Sequence, residues 1–195
     1  MLKKIVVIVL VLLQACTQDL KPIDQDRYDY VKQALMLDAM PRWSFEGRVA
    51  ITSVQDSWSA NIDWQHEPGR EVIDLSGPLG QGALLIKLLD GVVSIDDGDG
   101  KVERSEDPDA FVMQKLGVFV PVRALAYWVV GVPDPGRDVI KAVRGFEQEG
   151  WQVNFKEWQS IGNRMMPRKI DVLKDRVKLK LVFDQWRLGS EKTAR

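Results

Sequence analysis

Groups able to do covalent or acid–base chemistry are few in this chain of 195 residues, which carries one cysteine, Cys16, and one histidine, His66. The thiol follows Leu13-Gln14-Ala15 and an unbroken apolar run from Ile5 to Leu13, which Lys3 and Lys4 precede. A basic flank, a short apolar stretch and small residues before a cut make an export signal, and the thiol falls at the cut. His66 lies beside Glu67-Pro68-Gly69 and reads as a solvated loop residue rather than a base or a ligand. Without it no Ser-His-Asp set assembles, and no second cysteine remains as a nucleophile. Asp96, Asp97 and Asp99 are interspersed with glycines, but their spacing is not that of an EF-hand, and a hairpin turn accounts for them. Gly77, Gly80 and Gly82 are followed by neither Lys-Ser nor Lys-Thr, so no phosphate cradle is expected. No catalytic residue and no metal ligand is predicted, and no enzyme.

The apolar run of nine residues would span about 13 Å as a helix, against roughly 30 Å of bilayer hydrocarbon. It is too short for a permanent span. The arrangement resembles a bacterial lipoprotein signal, whose cysteine receives a diacylglycerol and whose freed amine receives a third chain. The alternative is an ordinary secretory signal with an incidental cysteine, although a single thiol has no disulfide partner. Thr17 stands where the pattern for inner-membrane retention would place Asp, so the resemblance implies the outer membrane, with the protein lipid-anchored and facing the periplasm. Residues 1–15 are read as signal peptide, 16–25 as a tether, 26–188 as a single domain and 189–195 as a polar tail. Removal of the signal leaves 25 basic and 28 acidic side chains. That balance, with no basic patch interleaved with aromatics, excludes nucleic acid as a partner.

The elements follow from periodicity. From 26 to 40 the apolar Tyr28, Val31, Ala34, Leu35 and Ala39 recur at helical steps, and Pro41 ends the run. The period then becomes two: Trp43, Phe45, Val49 and Ile51 share one face, and Trp58, Ala60, Ile62 and Trp64 repeat the pattern. Ile73 with Leu75, Leu84 with Ile86 and Leu88, and Val93 with Ile95 continue it between turn residues, which predicts an antiparallel meander. Asp107-Pro108 reads as an N-cap and first-turn proline for a helix ending near Leu116, and Pro121 opens a second that Gly131 and Pro133 stop. Residues 137–149 are ambiguous between strand and turn. Strands return with Trp151, Val153 and Phe155, and again with Val177, Leu179, Leu181 and Phe183. A long curved antiparallel sheet covered by three short helices results. Its broad apolar face permits a cavity or a filled core.

One loop, Gly77-Pro78-Leu79-Gly80, lies between two apolar strands. Its turn residues place Leu79 at a tip, where exposure costs roughly 1.5–3 kcal/mol unless the tip meets an apolar phase such as a membrane. The alternative is that Leu79 folds back onto the rim.

These residues together resemble the LolB family. The likeness rests on Cys16, Gly47-Arg48, Trp64, Gly77-Pro78-Leu79-Gly80, Pro121 with Leu125 and Trp128, Gly131 with Pro133, Gly150-Trp151, Pro167 and Trp186, in that order. The resemblance implies a mainly β (α+β) fold, an incomplete antiparallel β-barrel under a helical lid that encloses an apolar cavity. It implies a monomeric receptor that takes acylated client lipoproteins from a LolA-like periplasmic carrier and inserts them into outer-membrane lipid. No cofactor is implied beyond the covalent lipid on Cys16. Gly77, Pro78, Leu79 and Gly80 would form the membrane-insertion loop, and Trp64, Trp128, Trp151 and Trp186 would be cavity wall or packing. A structural lipoprotein subunit of an outer-membrane assembly is the competing reading, since it needs the anchor and the sheet but no cavity.

Overall fold

The computed structural model describes residues 41–54, 56–77 and 83–189. Six strands come first: β1 (Arg42–Thr52), β2 (Ser57–Glu67), β3 (Arg70–Ser76), β4 (Leu84–Leu89), β5 (Val92–Asp96) and β6 (Val102–Ser105). Two helices follow, α1 (Pro108–Leu116) and α2 (Val122–Trp128). Five strands close the chain: β7 (Ile140–Ala142), β8 (Gly145–Gln148), β9 (Trp151–Ile161), β10 (Arg164–Lys174) and β11 (Val177–Gly189). The predicted helix over 26–40 and Cys16 lie outside the described residues.

All eleven strands form one antiparallel sheet in the order β6-β5-β4-β3-β2-β1-β11-β10-β9-β8-β7. The first and last strands therefore pair at its centre, and the chain must pass from edge strand β6 to the opposite edge strand β7. It does so through α1 and α2, which lie on the concave face. Period-two alternation gives that face its apolar surface: Trp43, Phe45, Val49 and Ile51 of β1 are buried while Arg42, Arg48 and Thr52 are exposed. The convex face is laced by cross-strand ion pairs, such as Arg48 Nη2 to Asp184 Oδ1 at 3.0 Å.

Local signals set the helices. The Asp107 carboxylate accepts from the Ala110 amide at 3.1 Å, Pro108 occupies the first turn, and Gly117 closes α1 at φ 69°. Two strands, β6 and β10, were not expected from periodicity. In β10, Pro167 cannot donate to the ladder, and register shifts between Pro167 and Ile170 break the alternation that would have marked a strand. Residues 137–149 resolve into the hairpin β7–β8, and β11 continues through Gly189 into what was read as tail.

Gly47 fixes how closely the central strands approach. Glu46 faces Gln185 while Gly47 faces Phe183, so Asp184 bulges from β11. A Cβ at Gly47 would stand 2.1 Å from the Val182 carbonyl oxygen. Gly47→Ala is therefore expected to force β1 from β11 and to destabilise by about 2–3 kcal/mol, the usual penalty for overpacking. Urea unfolding should show a lower midpoint with an unchanged slope.

Candidate functional site

Among the described residues, two hollows lie between the sheet and the helices. The first is wholly apolar, about 50 Å³, lined from the sheet by Ile51, Trp58, Ile62 and Leu75 and from the helices by Val112 and Leu125, among others. The second, about 600 Å³, opens at the other end of the sheet, where the β2–β3 and β4–β5 turns lie, and mixes Trp43, Leu88 and Tyr127 with Glu71, Asp90 and Arg123. The apolar hollow points toward the end where β3 leaves at Ser76 and β4 re-enters at Leu84, because Leu75 pairs with Leu84 there. Gly77 follows β3 at this end, and Pro78, Leu79 and Gly80 lie outside the described residues. Val54, 65% exposed, sits at the neighbouring β1–β2 turn.

The four predicted tryptophans divide between wall and packing. Trp64 lines the apolar hollow, and its Nε1 donates to Glu71 Oε2 at 2.7 Å. Trp128, the last residue of α2, is fully buried, 6.1 Å from Trp151 between ring centroids. Trp186 packs on Phe45 and Phe183, both at 5.0 Å, and donates to the Pro167 carbonyl at 2.9 Å. Trp58 was missed as a wall residue.

Polar groups on the concave face were missed as well. His66 is no solvated loop residue: it belongs to β2, stacks on Trp43 at 4.7 Å, and places Nδ1 2.6 Å from Glu71 Oε1. The error came from the adjacent turn, although His66 continues the period of Ile62 and Trp64. Glu71 keeps step with Ile73 and Leu75, so its inward placement was readable. Gln148, in step with Phe146, is 1% exposed and ties α2 to β8. Its Oε1 accepts from Trp128 Nε1 and the Asp134 amide, both at 2.9 Å, and its Nε2 donates to the carbonyls of Asp134 and Arg137.

α1 is held differently. Lys115 Nζ donates to Glu103 Oε1 of β6 at 2.7 Å. That bond holds the Glu103 carboxyl below its usual range. At the α1–α2 junction, burial pushes the Asp109 carboxyl up, while the Val122 backbone and Arg123 pull it down. Asp109 Oδ1 is buried with no hydrogen-bond partner among the described residues. As for the acidic run, Asp96 and Asp97 accept from the amides of Gly98 and Asp99 in a turn. Among the described residues, no three His, Cys, Asp or Glu side chains could hold a metal ion.

The family model described as "Outer membrane lipoprotein LolB" matches residues 41–186, which contain both helices, the residues lining both hollows and all of the sheet but the last three residues of β11. The chain belongs to the LolB family. Among LolB relatives, the outer-membrane lipoprotein LolB of Chromohalobacter salexigens is 34% identical over 94% of this chain and 89% of that protein. LolB of Alkalilimnicola ehrlichii is 27% identical over 91% and 92%. Of solved structures, a DUF1329 family protein from Desulfovibrio piger aligns over 86% of this chain and 93% of that chain, at 9% identity and a TM-score of 0.49.

In this LolB chain the helices are fastened by unequal ties, and two substitutions separate them. Gln148→Leu leaves the buried Trp128 donor and the half-buried Asp134 amide unpaired and is expected to destabilise by about 2–3 kcal/mol, measured by urea unfolding. Asp109→Asn should act oppositely. A carboxyl raised in the folded state opposes folding above its unfolded pKa, and that opposition is relieved as pH falls through the folded value. The variant is expected to melt higher than the parent at pH 7, with the difference vanishing near pH 3.

Proposed function

We propose that this protein is an outer-membrane lipoprotein receptor that accepts acylated lipoproteins from a LolA-like periplasmic carrier and inserts them into the outer membrane. The observation that carries the reading is the all-apolar hollow between the concave face and the two-helix cover. A purely structural lipoprotein has no use for such a space. A sixteen-carbon chain exposed to water costs on the order of 12 kcal/mol at about 0.8 per methylene, so the client must pass from one apolar interior to another. Such a handover changes little exposed area and needs no nucleotide hydrolysis.

At about 50 Å³ the hollow is far smaller than the roughly 300 Å³ at which ligand pockets begin. Acceptance of an acyl chain therefore requires the helical cover to lift, at least at one end, from the sheet. The protein's own lipid, on Cys16, keeps the handover beside the acceptor bilayer. The Gly77-Pro78-Leu79-Gly80 loop enters that bilayer, a reading supported by β3 and β4, whose ends pair at Leu75 and Leu84, where Leu75 lines the apolar hollow.

Mixing the mature domain with client-loaded carrier and liposomes tests the reading. The client is expected to change hands without added energy and then appear in the liposome fraction; a client that stays on the carrier overturns it. Leu79→Glu should leave acceptance intact and slow insertion by about tenfold or more, since leucine transfer is worth roughly 1.5–3 kcal/mol. Insertion at the parent rate would remove the loop from the mechanism.

A further inference from the structure

We propose that Trp64 is a gate between the two hollows, latched shut by Glu71, and that acyl chains reach the apolar hollow from the mixed pocket by displacing it. The proposal rests on the receptor reading and adds the route of entry. The two hollows divide the same elements between them. Along β2, Ile62 and Trp64 line the apolar hollow and His66 lines the mixed pocket; along β3 the division falls between Ile73 and Glu71, and along β4 between Ile86 and Leu88. On α2, Leu125 belongs to one and Ala126 to the other. At this boundary stands Trp64, 1% exposed, with its ring 5.7 Å from that of Trp43 in the mixed pocket.

Its indole bridges the boundary. The ring walls the apolar hollow, while Nε1 ends on a carboxylate that lines the mixed pocket, 2.7 Å away. Glu71 is 8% exposed, and its second oxygen meets His66 Nδ1 at 2.6 Å. His66 in turn lies flat on Trp43, with rings 11° apart. The acceptor is thus oriented from the pocket side, so the latch is preset. The pocket itself suits an amphiphile: at about 600 Å³ it falls within the range of ligand sites, and it offers Trp43, Leu88 and Val130 to a chain and Arg123, Asp90 and Asp134 to a polar head. A swing of Trp64 toward it breaks one charge-assisted hydrogen bond, whose two ends can be solvated from the open pocket. The barrier is therefore finite, and it is specific to one bond.

Stopped-flow mixing of the mature domain with a fluorescent sixteen-carbon fatty acid tests the gate. Trp64→Phe keeps an aromatic ring but removes the donor, and Glu71→Gln weakens the acceptor. Each is expected to raise both the association and dissociation rates about tenfold while leaving the affinity within twofold, and the double variant should be no faster than either. Trp186→Phe removes another buried indole donor, one that lines neither hollow, and should leave the rates unchanged. Unaltered rates in Trp64→Phe and Glu71→Gln, additive effects in the double variant, or an equal acceleration in Trp186→Phe would each overturn the gate while probe binding itself remains. Failure of the parent protein to bind the probe is a different result, since it overturns the receptor reading and the gate with it.

Discussion

Among the described residues, the concave face of eleven strands is covered by a crossover containing helices of nine and seven residues. That mismatch of area is the constraint from which the other features follow. Because β1 and β11 pair at the centre, both edges come from the middle of the chain, and the crossover that joins them must run the width of the sheet. Short helices can then touch the inner face without filling every space beneath them. The result is an apolar space of about 50 Å³, which at roughly 24 cal/mol per Å³ costs on the order of 1 kcal/mol. A domain tolerates that much, and an acyl chain that occupies the space removes the cost.

The ties on the cover are graded. Gln148, itself 1% exposed, makes four hydrogen bonds, and loss of that residue would strand the buried Trp128 donor. The Lys115–Glu103 pair holds α1 at the opposite edge strand, with side chains 23% and 30% exposed, where water and salt can substitute for either partner. Between them lies Asp109, whose burial works against the closed arrangement. The cover is therefore firmly attached at α2 and weakly at α1, an inequality that lets one end lift while the fold remains intact.

Much of this architecture was legible because it depends on local pattern. Period-two runs marked β1, β2, β9 and β11, and Asp107-Pro108 with an end near Leu116 bounded α1 to within a residue. The failures have local causes too. Pro167 and its register shifts disguised β10, and β6 offered a single apolar residue, Val102, too little for any period. His66 and Glu71 were hidden by chemistry rather than geometry, since a polar residue in an inward position looks like an interruption until its partner is known. The size of the hollow could not be read at all. It is a small difference between side-chain volumes contributed by several elements, and no window of sequence contains it.

Three buried indoles in this fold are held by three kinds of acceptor, and the differences decide which can move. Trp186 donates to a backbone carbonyl of the central sheet, a partner that cannot rotate away. Trp128 donates to an amide whose other bonds fix α2 and the following loop, so its release would free several groups together. Trp64 donates to a side-chain carboxylate beside an open pocket, where separated partners regain hydrogen bonds from water. Breaking the first two leaves buried groups unsatisfied; breaking the third does not. Of these three tryptophans only Trp64 walls the apolar hollow, so the indole that stands in the path of a chain is also the one whose bond is least costly to open.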